Sequence, residues 1–174
     1  MSKGKGLLTA AGILTLIATF LLSWFTFNFG TIHGVNGIGG IKNVIGIFTG
    51  GTRYYSKYLN LPSWAIYIIA IIIIWLVASG FLQILGRNKP KIGIIGSIIP
   101  FIIGLIIMLN AFGFPFLGYF IRVFHVFGDG VPLIEGLIPL HITLTGRTEE
   151  IGTYFLLLGG LLGLIGGKVS KPEY

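Results

Sequence analysis

The sequence predicts an all-α membrane protein: a four-transmembrane-helix bundle with cytoplasmic N- and C-termini and two long outer loops. Three observations carry this. Hydrophobic types make up 54% of the 174 residues and charged types only 10%, against roughly 25% charge in a soluble domain. Four apolar stretches, at about 7–27, 64–85, 92–112 and 151–167, contain no Asp, Glu, Lys, Arg or His, and a spanning helix needs about 20 such residues. The basic residues are also unequally divided between the connections. These figures exclude a disordered chain and an ordinary soluble enzyme. With no cysteine, disulfides, Cys-based zinc sites, iron–sulfur clusters and thiol catalysis are excluded as well. The whole of 1–174 reads as a single four-span domain with outer loops 28–62 and 113–150.

Span one begins after Lys3 and Lys5. It resembles a signal-peptide h-region in its flank, but it is too long and no small-x-small cleavage site follows. The aromatic run Trp24-Phe25-Thr26-Phe27 reads instead as an interface belt closing a retained span. Span two, around Ile71-Ile72-Ile73-Ile74, is bulky, with small residues only at Ala78, Ser79 and Gly80. It is expected to be the helix most exposed to lipid or covered by a partner. Span three carries Pro100, which removes one helical hydrogen bond and is expected to bend it. Span four is the shortest. Thr148 is expected as its N-cap, with Glu149 and Glu150 in the first turn and Lys168 after the last, each where the helix dipole favours that charge.

Orientation follows from basic residues in short segments beside the bilayer. Lys3, Lys5, Arg87, Lys89, Lys91, Lys168 and Lys171 fall on one side with one acid, Glu173, for a net +6. Lys42, Arg53, Lys57, Arg122 and Arg147 fall on the other with Asp129, Glu135, Glu149 and Glu150, for a net +1. The first side is read as the cytoplasmic face of the cell membrane, suited to an anionic inner leaflet. The bases are scattered over short juxtamembrane pieces, so nucleic acid is not expected as a partner.

Helices in lipid associate through close backbone approach at small residues. The expected packing positions are Ala11, Thr15 and Thr19 in span one, Gly96 and Gly104 in span three, and Gly159, Gly163 and Gly167 in span four. The plainer reading of the span-four stripe is packing within the chain; the other is oligomerisation.

Of the outer loops, 28–62 is rich in Gly and Asn. Its stretch from Ile41 to Phe48 is apolar enough to lie against the membrane or add a strand. Residues 116–127 read as an amphipathic interfacial helix with Phe116, Phe120, Phe124 and Phe127 on one face. His141 to Thr145 alternates polar and apolar and reads as a short strand.

No ionisable group lies within a span, which weighs against a pump, a coupled transporter or a voltage sensor. Asn110 and Gln83, both toward span ends, are the strongest polar groups there. The one polar cluster is outside: His33, Arg122, His125, Asp129, Glu135 and His141. Its spacings match no metal motif. The plainer reading is interfacial polar residues bonding loop backbone or a partner, with Glu135 pairing with Arg122 or Arg147. Gly37-Ile38-Gly39-Gly40 lacks the Lys-Ser/Thr and the strand–loop–helix setting of a P-loop. The span serines are expected far from the histidines, so no serine-hydrolase arrangement is expected. No catalytic residue, cofactor or metal is assigned.

The topology resembles the claudin-type tetraspan arrangement. Of that family's Trp-Gly-Leu-Trp-Cys-Cys type loop signature only Trp24 stands here, so no residue role is carried over. Small four-span subunits of respiratory complexes have the same outline. Heavy Ile use with scarce Gln, few Met and no Cys is an archaeal-like, thermophilic composition. The expected function is a non-catalytic integral membrane subunit packed within a larger, respiratory-type complex. Its partners would be other subunits or copies of itself. The alternatives are a self-associating tetraspan envelope or adhesion protein and a small quinone- or metal-binding subunit of a membrane oxidoreductase.

Overall fold

The computed structural model describes residues 3–28, 32–114, 120, 123, 127, 134, 137–144 and 149–170. Its elements are α1 (Lys3–Phe20), β1 (Phe25–Asn28), β2 (Ile32–Val35), α2 (Gly37–Gly46), a π-helical turn (Ile47–Gly51), α3 (Thr52–Leu59), α4 (Ser63–Leu85), α5 (Pro90–Ala111) and α6 (Ile151–Val169). Three of the helices, α4, α5 and α6, are long and apolar enough to cross a membrane. The chain is thus mostly helical, with one small antiparallel sheet.

The four long helices close into a ring. α1 packs on α4 and α6, and α5 packs on the same two; α1 and α5 barely touch across the diagonal. Backbone proximity makes the ring possible. A methyl group placed on Gly160 would lie 2.5 Å from the Cα of Phe101 in α5. One placed on Gly159 would lie 2.5 Å from the Thr15 hydroxyl and 3.1 Å from the Ala11 carbonyl oxygen in α1. Gly163 abuts Ser97, Gly167 abuts Ile94, Gly104 abuts the backbone of Leu157, and Gly96 abuts Leu82. Thr19 packs against Gly37 at the head of α2. In hydrocarbon, where apolar contacts between helices gain little over contacts with lipid, such close approach is the main source of association.

Span one differs from expectation. The helix stops at Phe20, and the chain enters β1 at Phe25 instead of continuing to Phe27. The next residues bond to other segments: Ser23 donates its N–H to Leu140 O at 3.1 Å and Trp24 to Val35 O at 2.8 Å. Span four begins at Ile151 with Glu150 in the N-cap position, so no acid lies in its first turn. The expected Thr148 cap lies outside the described residues. Pro90 opens α5 at its first turn, where a missing N–H costs nothing, and the helix runs unbroken through Pro100.

The stretch Ile41–Phe48, expected against the membrane or as a strand, belongs to α2 and the turn after it. Asn36 caps α2 by accepting from Gly39 N at 2.9 Å. Val44, Ile47 and Leu59 bury themselves against Ile66, Ala70 and Ile73 on one flank of α4. α3 ends on Asn60 in the left-handed conformation, φ 54°, which Asn tolerates better than most residues. α4 is the least buried of the three most apolar helices. Of the expected interfacial helix at 116–127, the described residues are Phe120, which is exposed, and Val123 and Phe127, which join the α2–α4 core; the remainder lies outside the described residues.

Gly160→Leu should cost about 3 kcal/mol or more, because the neighbouring backbone of α5 cannot yield. Gly6→Ala, at a position with open space around it, should be neutral or stabilising by up to about 1 kcal/mol through helix propensity. Unfolding midpoints of the two variants in mild detergent check both.

Candidate functional site

The chain segments that leave the bundle opposite the basic termini are sewn together by backbone hydrogen bonds. Leu22 bridges Leu140, Phe25 bridges Glu149, and Thr143 bridges Glu150. Leu140 N donates to Leu21 O at 2.8 Å, Glu150 N to Trp24 O at 2.8 Å, and Ile151 N to Ile142 O at 2.8 Å. The β1–β2 hairpin, with Phe25 opposite Val35, closes the other side. Trp24 is the hub: its indole N–H donates to Ala18 O at 2.8 Å, and its carbonyl also accepts the Thr153 hydroxyl at 2.5 Å. The result is a cap tied to the ends of α1 and α6.

Two carboxyl side chains are buried in this cap, Glu149 at 2% and Glu150 at 1% exposure. Burying a carboxylate is costly unless it is hydrogen-bonded or paired. His141 Nδ1 lies 3.2 Å from Glu150 Oε1, within hydrogen-bonding distance. The His141 side chain is 41% exposed, so this pair joins the buried end of the cap to its surface. Glu150 Oε2 has no hydrogen-bond partner among the described residues.

Ser23 corrects one expectation. Its hydroxyl and the His141 ring both crowd Gly34, the hydroxyl oxygen lying 2.7 Å from where a Cβ would stand. A span serine and a histidine are therefore neighbours. Ser23 is fully buried and its hydroxyl faces the carbonyls of Phe25 and Val35 at 3.4 Å each, so the imidazole is not its hydrogen-bond partner.

Of the expected polar cluster, His141 is placed here. Arg122, His125, Asp129 and Glu135 lie outside the described residues. Among the described residues no three His, Asp or Glu side chains converge as metal ligands. The residues missed by sequence reading are Glu149, Glu150, Ser23 and Trp24. The glutamates carry a signal, being adjacent acids in an acid-poor chain, but their place before an apolar run points equally to the helix dipole.

Two further polar groupings complete the picture. In the bundle, Gln83 is fully buried. Its amide donates to Ser97 Oγ at 3.2 Å and to Gly159 O at 3.4 Å, so three helices meet on one side chain. Beside the cap, the Tyr55 hydroxyl donates to Asn43 Oδ1 at 2.9 Å and Asn43 Nδ2 to Phe127 O at 2.8 Å, with the Tyr55 and Phe127 rings stacked at 5.1 Å. Burial, with a smaller contribution from Tyr54, pushes the Tyr55 phenol above its ordinary value of 10.0.

No protein-family model, no curated protein and no solved structure matches the chain.

A double-mutant cycle on the pair has a definite expectation. Glu150→Ala should destabilise by about 1–3 kcal/mol, as loss of a buried hydrogen-bonded group does. His141→Ala should cost about 1 kcal/mol or less because it is partly solvated. The double variant should then cost less than the sum of the two, as read from unfolding titrations. For Tyr55 the sign is set by its raised folded-state value. Its contribution is full below pH 10 and is lost as pH rises through the folded value. Phenolate absorbance in alkali should show a component titrating above pH 10 that Tyr55→Phe removes.

Proposed function

We propose that the chain is a non-catalytic integral membrane subunit that crosses the cell membrane four times, keeps both termini cytoplasmic, and docks its outer cap on a larger membrane assembly. α1 supports the fourth crossing: it lies in the same ring as the three span-length helices and packs along α6 and α4. The basic residues Lys3, Lys5, Arg87, Lys89, Lys91 and Lys168 cluster at the end of the ring away from the cap, which supports the inside assignment.

One observation carries the docking reading. Ile134, Leu137, Leu140, Ile142 and Leu144 are each between 42% and 58% exposed, and they lie on the short cap segment rather than on a spanning helix. Leu140 and Thr143 of that segment are pinned by bridges to Leu22 and Glu150. A pinned, exposed apolar ridge outside the spans is what a protein interface offers. Gly159 and Gly163 are occupied within the bundle, so association through a span-four glycine stripe has little support, and the cap is the better contact. A second reading, a quinone- or metal-binding subunit, draws on the His141–Glu150 pair alone.

Particle mass after gentle solubilisation from native membranes tests the first reading. A particle of several subunits is expected, and Leu137→Glu with Leu140→Glu should release this chain from it. A monodisperse 18.8 kDa chain unaffected by these changes contradicts it, and quinone or metal absorbance lost in His141→Ala favours the second.

A further inference from the structure

A groove of about 450 Å³ runs between α2 and α4, lined chiefly by Ile41, Ile45 and Phe48 on one side and Ile73, Ile74 and Val77 on the other. Its wall offers almost no hydrogen-bonding capacity. The one polar lining residue, Thr49, spends its hydroxyl on the carbonyls of Ile45 and Gly46 at 3.0 and 3.2 Å. The groove is open along the side of a span-length helix, and Ile74 in it is half exposed.

Its end toward the cap is marked by the Phe48–Tyr67 ring contact at 5.7 Å and by the Thr52–Tyr67 hydroxyl bond at 3.1 Å. The lining on α2 and the turn after it, Ile41 to Thr49, advances about 12 Å at 1.5 Å per residue. Half of a hydrocarbon core of about 30 Å is of comparable length.

The cap end of the groove is cationic. Arg53 and Lys57 lie on α3, which follows the Thr52–Tyr67 contact, with Tyr54 and Tyr58 between and beyond them. All four side chains are exposed, and residues 1–128 contain no acid. Exposed bases interleaved with tyrosines suit the headgroup level of a membrane. An apolar shaft comparable in length to one leaflet, with cations at its cap end, complements a lipid with hydrocarbon tail and anionic head.

We propose that the α2–α4 groove is a specific site for one anionic membrane lipid of the leaflet on the cap side. The tail lies along Ile45 and Ile74, and Arg53 and Lys57 hold the headgroup.

The chain purified in mild detergent, stripped of native lipid and offered palmitoyl-oleoyl phosphatidylglycerol or the phosphatidylcholine with the same tails, tests this by native mass spectrometry. Wild type should keep one phosphatidylglycerol per chain in clear preference to phosphatidylcholine. Ile45→Trp, which fills the groove, should lose that retention. Ile95→Trp, on the exposed face of α5, should keep it. Reversing Arg53 and Lys57 to Glu should leave the groove intact and remove the preference, lowering phosphatidylglycerol retention on the order of tenfold or more. Equal retention of the two lipids by wild type, or unchanged retention in Ile45→Trp, overturns the proposal. Because Ile45→Trp could misfold, a photo-crosslinking residue at position 45 supplies an independent reading in native membranes. An adduct of lipid mass supports the proposal, and an adduct to a polypeptide overturns it.

Discussion

Close backbone contact between α6 and its two neighbours is the constraint on which the rest of the molecule depends. Helices immersed in hydrocarbon gain little from apolar burial against one another, so they hold together through short-range packing and occasional hydrogen bonds. Gly159 and Gly166 bring α6 against α1, while Gly160, Gly163 and Gly167 bring it against α5. With α6 seated in this way, Gln83 of α4 can reach both Ser97 and Gly159. That side chain is the polar tie among three helices: its NH2 group has two partners, while its buried Oε1 has none among the described residues.

The same ring fixes the cap. α1 is shorter than α4, so the chain leaves it before α4 ends and must satisfy its backbone by other means. It does so by pairing Leu22 through Trp24 with segments that are remote in sequence but adjacent in space. Those pairings bury Glu149 and Glu150 and present His141 at the rim. They also leave Leu140, Ile142 and Leu144 exposed beside the bridged residues. α2 and α3 occupy the flank of α4 that the ring leaves open.

Much of this was legible in the residues. The continuous apolar runs of spans two to four mark their helices to within about two residues, because few other structures use uninterrupted runs of that length. The helix of span one ends at Phe20, short of Phe27, although Leu21 to Phe27 is as apolar as the helix before it. Hydropathy cannot register that Ser23 and Trp24 bond to Leu140 and Val35. α2 has a weak helical signature, since Gly37, Gly39 and Gly40 have poor helix propensity, and its local start signal is the Asn36 cap. The packing glycines of α6 were legible as a stripe, but their partners Phe101, Ser97 and Ile94 were not, because periodicity reports a face and never what covers it. The pairing of Glu150 with His141 depends on register between two segments and has no local signature.

The account's central claim is the path of the chain through the bilayer, and the absence of cysteine makes it directly measurable by single introduced cysteines and a membrane-impermeant maleimide in intact cells. Lys5→Cys, Asn88→Cys and Lys168→Cys should stay unlabelled until the membrane is opened, while Tyr54→Cys and Lys57→Cys, both exposed on α3, should label at once. Labelling of position 5 in intact cells with position 168 still protected would mean an odd number of crossings and would contradict the account.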